Sequence, residues 1–225
     1  MSEGPRFAAV LFDLDGTLVE TRKDIATAIN LALGGRGLPV LSVDRVARHV
    51  GHGARVLVTR CLEEAGVASP APDDIESLHR AFHEHYLAHL LDTTFVYPGI
   101  PGVCEGIARA GGRMAIVTNK PIEAAKRILI GLGLSSYFPV VLGGDSLPQR
   151  KPDPAPLLRA IASLDADAGH ALMIGDSQVD IDAARAAGIP VAAVAWGFTP
   201  KDALESASPD LLAEDAAALG EWILR

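Results

Sequence analysis

Short apolar runs that end in polar residues recur along this chain, and they constrain its fold more than any other feature. These runs cover residues 8–12, 114–117, 140–142, 171–174 and 191–196. Stretches with helical spacing of apolar residues lie between them, at about 103–110, 121–130, 155–163 and 181–187. Nearly continuous apolar strands that alternate with helices are typical of a parallel sheet covered on both faces. The sequence therefore predicts an α/β fold.

The segment from about residue 19 to residue 92 departs from this alternation. It shows helical patterning without a convincing strand. Its clearest apolar stripe consists of Ile75, Leu78, Phe82, Tyr86 and Leu90. A helical block of this length is too long for an ordinary connection between neighbouring strands. We therefore expect a discontinuous core of residues 1–18 and 93–225 and an inserted all-helical cap domain of residues 19–92.

Composition narrows the functional classes. The formal net charge of −8 argues against nucleic-acid binding, because that affinity comes mostly from Lys and Arg. The first residues lack the pattern of a signal peptide, and no apolar run approaches the roughly 20 residues that span a bilayer. Cys61 and Cys104 have neither metal-type nor redox-type spacing. We expect a cytoplasmic protein that binds neither nucleic acid nor membrane.

Polar groups follow the predicted strands. They are Asp13-Leu14-Asp15-Gly16-Thr17, Thr118-Asn119, Lys151 within Arg150-Lys151-Pro152-Asp153-Pro154, and Gly175-Asp176-Ser177-Gln178-Val179-Asp180. Each group alone also fits a solvated turn, a helix cap or a surface position. However, the carboxyl ends of parallel strands meet at one edge of a sheet, where reactive groups gather. The four groups together therefore predict one site that combines acids, a hydroxyl and an amine.

These groups resemble the motifs of the haloacid dehalogenase superfamily, which are Asp-x-Asp-Gly-Thr, a Ser/Thr after the second strand, a lysine and Gly-Asp-x-x-x-Asp. The resemblance extends from about residue 8 to residue 200. Three segments are similar to phosphoglycolate phosphatases with a helical cap: Gly51-His52-Gly53-Ala54, Tyr97-Pro98-Gly99 and residues 147–154. The resemblance implies a Rossmann-like core, a mobile lid over the site and a magnesium-dependent phosphomonoester hydrolase.

The resemblance also implies roles for the acids. Asp13 would attack phosphorus and form an aspartyl-phosphate, while Asp15 would protonate the departing alkoxide and then activate water. Mg²⁺ prefers oxygen ligands. Asp13, Asp176 and the backbone carbonyl of Asp15 would supply them. Asp180 would orient the metal shell or Lys151.

The other polar groups would bind the phosphate of a small phosphorylated metabolite. Lys151 and the metal would offset the repulsion between Asp13 and a dianionic phosphate. Thr118 and the backbone amide of Asn119 would hold the non-bridging oxygens.

Substrate identity would come from the cap. Phosphoglycolate carries a carboxylate, and Arg55 is the candidate cation for it; a solvated surface arginine is the equal alternative. His52 stands where Asn is expected in close relatives, which leaves other small sugar phosphates open as substrates. The sequence also leaves monomer and homodimer open.

Several alternatives share parts of this pattern. Dehalogenases lack the second carboxylate that Asp15 supplies. Phosphonatases need a cap lysine, and Lys23 at the edge of the helical block is the only lysine between residues 19 and 92. A β-phosphoglucomutase-like mutase keeps every motif and stays open. A phospho-accepting receiver domain is shorter, carries its phosphorylated Asp after the third strand, and leaves the helical block unexplained.

The predicted cap also contains His79, His83, His85 and His89. Pairs among them have the i, i+4 spacing of helical zinc ligands, but no pair has Glu directly after its first His. A packed or solvated cap helix is therefore the favoured interpretation of these histidines.

Overall fold

The computed structural model describes residues 5–225, and the chain divides into two compact units. Unit 1 comprises the chain up to Glu20 together with Val96–Arg225, and unit 2 comprises Thr21–Phe95. The sequence pattern places these two passages slightly earlier, at residues 18–19 and 92–93. In the part of the chain that the structure describes, no helix combines the length and the apolar character needed to cross a bilayer.

Unit 1 is built on one six-stranded sheet. The strands of the chain are β1 (Ala9–Phe12), β2 (Val19–Glu20), β3 (Phe95–Val96), β4 (Arg113–Val117), β5 (Val140–Leu142), β6 (Ala171–Gly175), β7 (Val191–Val194) and β8 (Leu211–Ala213). The sheet has the order β5-β4-β1-β6-β7-β8, and its neighbouring strands are parallel. β2 and β3 are two residues long and stand outside it. The predicted α/β fold with a parallel sheet is therefore confirmed.

Helices account for most of the remaining chain. They are α1 (Arg22–Gly34), α2 (Val43–Ala47), α3 (Ala54–Glu64), α4 (Pro72–Ala88), α5 (Ile100–Arg109), α6 (Ile122–Gly131), α7 (Ala155–Ser163), α8 (Gln178–Ala187), α9 (Lys201–Ala207) and α10 (Ala216–Leu224). Unit 2 contains α1 to α4, and unit 1 contains the others.

The central strands are apolar along their whole length because both faces of the sheet are covered. β1, β6 and β7 are buried at every position. On one face, Leu11 and Met173 pack with Leu157 of α7 and Ile181 of α8. This burial on both faces explains why the strands appear in the sequence as continuous apolar runs rather than alternating ones.

Strand order determines where the site lies. From β1 the chain adds β4 and β5 on one side, and it then adds β6, β7 and β8 on the other. The direction of winding thus changes beside β1, between β4 and β6. Parallel sheets of this kind open a crevice at the carboxyl ends of the strands next to such a switch.

Unit 2 has its own buried core. Leu78, Phe82 and Tyr86 of α4 are buried, as the apolar stripe predicts, and the rings of Phe82 and Tyr86 stack at 5.5 Å. α4 packs against α1 and α3. The buried carboxylate of Asp24 in α1 accepts hydrogen bonds from the backbone N–H and hydroxyl groups of Thr93 and Thr94. These bonds tie the beginning of the unit to its end.

Candidate active site

Asp13 directly follows β1, and Thr118 directly follows β4. The N–H of Asp13 donates to the Ile174 carbonyl at 2.9 Å, and the N–H of Thr118 donates to the Leu142 carbonyl at 3.0 Å. The ladder therefore continues one residue past each strand and holds both backbones at the sheet edge.

Three acids lie together at this edge of the sheet: one directly follows β1, one directly follows β6, and one lies in the first turn of α8. Asp13, Asp176 and Asp180 each offer a carboxylate oxygen, and these oxygens lie within 4.8 Å of one another. All three residues are buried, with exposed fractions of 8%, 3% and 1%. Within residues 5–225 this acid cluster is the group of His, Cys, Asp and Glu side chains with metal-binding proximity. Buried carboxylates this close together require compensating positive charge.

Lys151 supplies part of that charge. Its Nζ lies 2.9 Å from Asp13 Oδ1 and 2.6 Å from Asp180 Oδ1, and the residue is almost fully buried. Burial alone would lower the pKa of Lys151, but the attraction of Asp13 and Asp180 outweighs this effect and raises that pKa. The ammonium group is therefore charged across the working pH range.

One ammonium does not balance three carboxylates. Burial raises the pKa of Asp13, and it raises the pKa of Asp176 well above the usual value, with the charges of Asp180 and Asp13 adding to the second shift. When all three acids are ionised, the cluster with Lys151 carries an excess of two negative charges, and the raised pKa values show that this state lacks sufficient positive charge. This excess, presented on carboxylate oxygens, fits the charge and the ligand preference of a divalent cation such as Mg²⁺.

Backbone groups of Gly16, Gly197 and Phe198 pack closely around the side chain of Asp176. Its Oδ2 accepts the N–H of Phe198 at 2.7 Å, and its Oδ1 accepts the hydroxyl of Thr17 at 3.4 Å. A Cβ on Gly16, whose φ is +83°, would lie 2.3 Å from Asp176 Oδ2, and one on Gly197 would lie 2.2 Å from the Asp176 Cβ. Glycine at both positions therefore lets the chain close around this carboxylate.

Asp180 joins the acid cluster to the beginning of α8. Its Oδ2 accepts the N–H and the hydroxyl of Ser177 at 3.2 and 2.6 Å, which completes a capping box. Its Oδ1 contacts Lys151. Asp180 thus fixes the lysine ammonium while its own orientation is held by the helix cap.

Thr118 and Asn119 form a turn beside this cluster. The Thr118 hydroxyl accepts the N–H of Lys120 at 3.2 Å, and the Asn119 side-chain amide donates to the Lys151 carbonyl at 2.8 Å. The Lys151–Pro152 peptide bond is cis. The hydrogen bond from Asn119 links the turn after β4 directly to the segment that carries Lys151.

Lys120 is a buried site residue that the sequence reasoning missed. Its Nζ lies 2.9 Å from Asp15 Oδ1 and 3.0 Å from Asp15 Oδ2. It is one of only five lysines in the chain and directly follows a polar pair at a strand end. This position directly after a strand was the feature of the sequence that could have identified Lys120 as a site residue. The structure therefore pairs Lys120 with Asp15, and it pairs Lys151 with Asp13 and Asp180.

The sequence predicts Arg55 as the cation for a substrate carboxylate. It belongs to α3 of unit 2, where its Nη1 lies 2.7 Å from Glu76 Oε2 and both side chains are about half exposed. His52 is exposed. Among the cap histidines, His89 contacts Asp92 at 2.6 Å, and burial lowers the pKa of His79. The assignment of Arg55 to a substrate carboxylate stays a prediction.

Residues 10–194 match the family described as haloacid dehalogenase-like hydrolase. This span includes the acid cluster, Asp15 and both buried lysines. The chain belongs to the haloacid dehalogenase-like hydrolases. The membership predicted from the motifs is thus confirmed.

Similar proteins of this family carry more specific names. A plasmid-encoded phosphoglycolate phosphatase from Cupriavidus necator is 42% identical over 211 residues, which cover 94% of this chain and 90% of the relative. A phosphoglycolate phosphatase from Rhodospirillum rubrum is 40% identical and covers 96% and 90%. The crystal structure of a predicted phosphoglycolate phosphatase from Haemophilus somnus 129PT has a TM-score of 0.91 at 33% identity and covers 96% and 98%.

Proposed function

We propose that this haloacid dehalogenase-like hydrolase removes phosphate from phosphoglycolate in a Mg²⁺-dependent reaction. The observation that carries the proposal is the buried cluster of Asp13, Asp176 and Asp180 around Lys151 at the carboxyl edge of the sheet. Such a cluster offers a nucleophile, ligands for a divalent cation and a fixed positive charge. The similarity to proteins named phosphoglycolate phosphatase supports the choice of substrate.

Mg²⁺ would be held by the side chains of Asp13 and Asp176 and by the backbone carbonyl of Asp15. The excess negative charge of the acid cluster and its all-oxygen donor set support this assignment. When bound, the ion would offset the charge of the phosphate and polarise its oxygens.

Asp13 would act as the nucleophile in the first half of the reaction. One of its oxygens forms a bond to phosphorus while the bond between phosphorus and the substrate oxygen breaks, and the electron pair of that bond stays on the leaving oxygen. Asp15 would donate a proton to that oxygen, so that glycolate leaves as an alcohol. Lys151, 2.9 Å from Asp13, would reduce the repulsion between the carboxylate and the phosphate.

Asp15 would act as the base in the second half. It accepts a proton from water, the water oxygen bonds to phosphorus, and the bond from phosphorus to Asp13 breaks. Inorganic phosphate leaves, and both carboxyl groups return to their starting states. The Thr118 hydroxyl and the Asn119 backbone N–H would hold the non-bridging oxygens in both halves.

Unit 2 would act as the cap that selects the substrate. In this proposal Arg55 leaves its exposed pair with Glu76 and binds the carboxylate of phosphoglycolate. Because both members of that pair are about half exposed, exchanging one carboxylate partner for another has a low energetic cost.

A panel of phosphorylated metabolites tests the function. The purified protein is incubated with phosphoglycolate, several small sugar phosphates and a generic aryl phosphate, and both free phosphate and isomerised substrate are quantified. We expect the highest kcat/KM for phosphoglycolate, with free phosphate as the phosphorus-containing product. Isomerised sugar phosphate without phosphate release would indicate a mutase instead. One slow covalent phosphorylation per chain without turnover would indicate a receiver domain.

A further inference from the structure

Lys120 has no role in the mechanism above, although it is buried and contacts Asp15. Its side chain is 4% exposed and that of Asp15 is 10% exposed, and the ammonium lies close to both carboxylate oxygens. A lysine is rarely this buried unless it is paired. We infer that Lys120 is a positioning residue, which holds the Asp15 carboxyl group in the orientation needed to give a proton to the leaving oxygen as the acid and to take one from water as the carboxylate. This inference rests on the proposed function.

Two hydrogen bonds fix the backbone of Lys120 and so restrict where its ammonium can lie. The Lys120 N–H donates to the Thr118 hydroxyl at 3.2 Å, and the Lys120 carbonyl accepts the N–H of Gly144 at 2.8 Å. Gly144 is packed so closely that a Cβ there would lie 2.3 Å from the Asn119 carbonyl oxygen. The turn after β4 and the loop after β5 therefore set the place from which the Lys120 side chain extends.

The orientation of an Asp carboxylate needs such an external contact. Rotation about its last side-chain bond has broad minima, so the side chain alone does not aim its oxygens. The Lys120 ammonium bridges Asp15 Oδ1 and Oδ2 at 2.9 and 3.0 Å, which restricts that rotation. Each carboxylate oxygen has two acceptor sites, and the bridge to Lys120 uses one of them on each oxygen.

Each of the two buried lysines thus contacts one acid of the Asp13-x-Asp15 pair. Lys151 contacts Asp13 and Asp180, whereas the carboxylate that Lys120 contacts is that of Asp15. A second lysine that bound the phosphate directly would not need to bridge both oxygens of an acid. The geometry therefore favours an action of Lys120 through Asp15 over direct binding of substrate.

The central test is Lys120→Met, with Lys126→Met as the matched control, because Lys126 is an exposed lysine of the same unit. We expect Lys120→Met to lower kcat for phosphoglycolate by about 10²-fold, at the lower end of what general acid–base catalysis contributes. KM and inhibition by inorganic phosphate should stay near their wild-type values. Lys126→Met should leave all three quantities unchanged. If Lys120→Met instead raised KM and weakened inhibition by phosphate while kcat was kept, Lys120 would be a phosphate ligand and the inference would be overturned.

The leaving group provides a readout that a purely structural role would not change. p-Nitrophenyl phosphate releases a weakly basic phenolate that needs no proton, whereas hydrolysis of the aspartyl-phosphate still needs Asp15 as a base. In Lys120→Met, the first turnover of this substrate should keep its wild-type rate, and later turnovers should slow by about 10²-fold. Equal slowing of the first and later turnovers would overturn the inference.

A double-variant comparison covers the case in which Lys120→Met folds poorly because the positive charge beside the buried Asp15 is lost. Asp15→Asn removes that charge, and if Lys120 acts through Asp15, Asp15→Asn/Lys120→Met is no slower than Asp15→Asn alone. A further large loss in the double variant would contradict the inference. Lys120→Arg, which keeps the positive charge, should restore part of kcat.

Asp13→Asn separates this inference from the proposed function. If Asp13→Asn hydrolysed phosphoglycolate normally, the proposed mechanism itself would fail. If Asp13→Asn were inactive and Lys120→Met had wild-type kinetics, the positioning role alone would be wrong.

Discussion

Two ion pairs, one in each unit, differ sharply in burial. At the sheet edge of unit 1, Lys151 and Asp180 form an ion pair with side-chain exposures of 2% and 1%. On the surface of unit 2, Arg55 and Glu76 form a pair with exposures of 53% and 51%. Water and salt screen the second pair, whereas the first has no such screening. Changes to the first pair should therefore affect the chemistry, and changes to the second should only modulate binding.

Burial also makes the first cluster costly to maintain. Removing several charges from water carries a large desolvation penalty, and a well-packed apolar group would often be at least as stable. A chain that keeps Asp13, Asp176, Asp180 and Lys151 in its interior gains from them something other than stability. Shifted pKa values in a buried cluster are typical of functional sites.

Asp13→Asn should produce the largest effect and is the strongest test of the comparison. The neutral amide cannot act as the nucleophile, so we expect kcat for phosphoglycolate to fall on the order of 10⁴-fold or more, as for other lost nucleophiles. The fold should persist, because the amide has nearly the same shape. Steady-state kinetics and circular dichroism measure the two quantities. The matched control is Asp182→Asn, an exposed acid of α8 whose loss should leave kcat unchanged. Retained turnover by Asp13→Asn would refute its role.

Removal of divalent cations should have the next largest effect. Treatment with EDTA should lower kcat by about 10³-fold, since a metal that offsets phosphate charge contributes several kcal/mol. Added Mg²⁺ should restore activity and raise the thermal midpoint of the wild type, because a ligand that binds only the folded state stabilises it. Asp176→Asn should weaken the Mg²⁺-dependent rise in midpoint. Full activity in metal-free buffer would count against the proposed site.

Asp24→Asn sharpens the comparison, because Asp24 is a buried charge in unit 2 that serves stability. Burial alone would raise its pKa, but the hydrogen bonds from Thr93 and Thr94 outweigh this effect and hold the pKa below its usual value. Hydrogen bonds to a charged group contribute roughly 1.5–3 kcal/mol. We therefore expect Asp24→Asn to lower the free energy of unfolding in urea at pH 7 by about 2 kcal/mol. Asp92→Asn, which removes an exposed acid of the same unit, should have a much smaller effect.

The pH dependence of this difference follows from the lowered pKa of Asp24. A carboxyl group with a lowered folded pKa stabilises the protein fully above its unfolded pKa, about 3.9 for Asp, and this stabilisation disappears as pH falls through the folded pKa. The gap between wild type and Asp24→Asn in urea unfolding should therefore shrink below about pH 4. A gap that stayed constant down to the most acidic conditions would show that the Asp24 charge contributes nothing.

Much of the fold could be predicted because buried parallel strands leave a strong local pattern. The apolar runs at β1, β4, β6 and β7 all coincide with strands. β8 is only three residues long and was not among the predicted apolar runs. β2 and β3 are two residues each, too short for any periodicity to be visible.

The site was predictable to the extent that its members follow strands. Asp13, Thr118 and Asp176 converge because β1, β4 and β6 are neighbours in the sheet. Lys120 was missed because its contact with Asp15 spans 105 positions, and its place directly after Thr118-Asn119 was the one local sign of it. A lysine after a strand is usually solvated, and only the three-dimensional arrangement shows that this one is buried and paired.

Arg55→Ala should produce the smallest effect and tests the other side of the comparison. If Arg55 binds the substrate carboxylate in an exposed setting, KM for phosphoglycolate should rise about fivefold, equivalent to about 1 kcal/mol, while kcat stays constant. KM for p-nitrophenyl phosphate, which has no carboxylate, should not change. Arg60→Ala is the matched control, because Arg60 is an exposed arginine of the same helix. An identical KM shift for both substrates, or none for phosphoglycolate, would leave Arg55 as a surface residue and require another source of carboxylate selectivity.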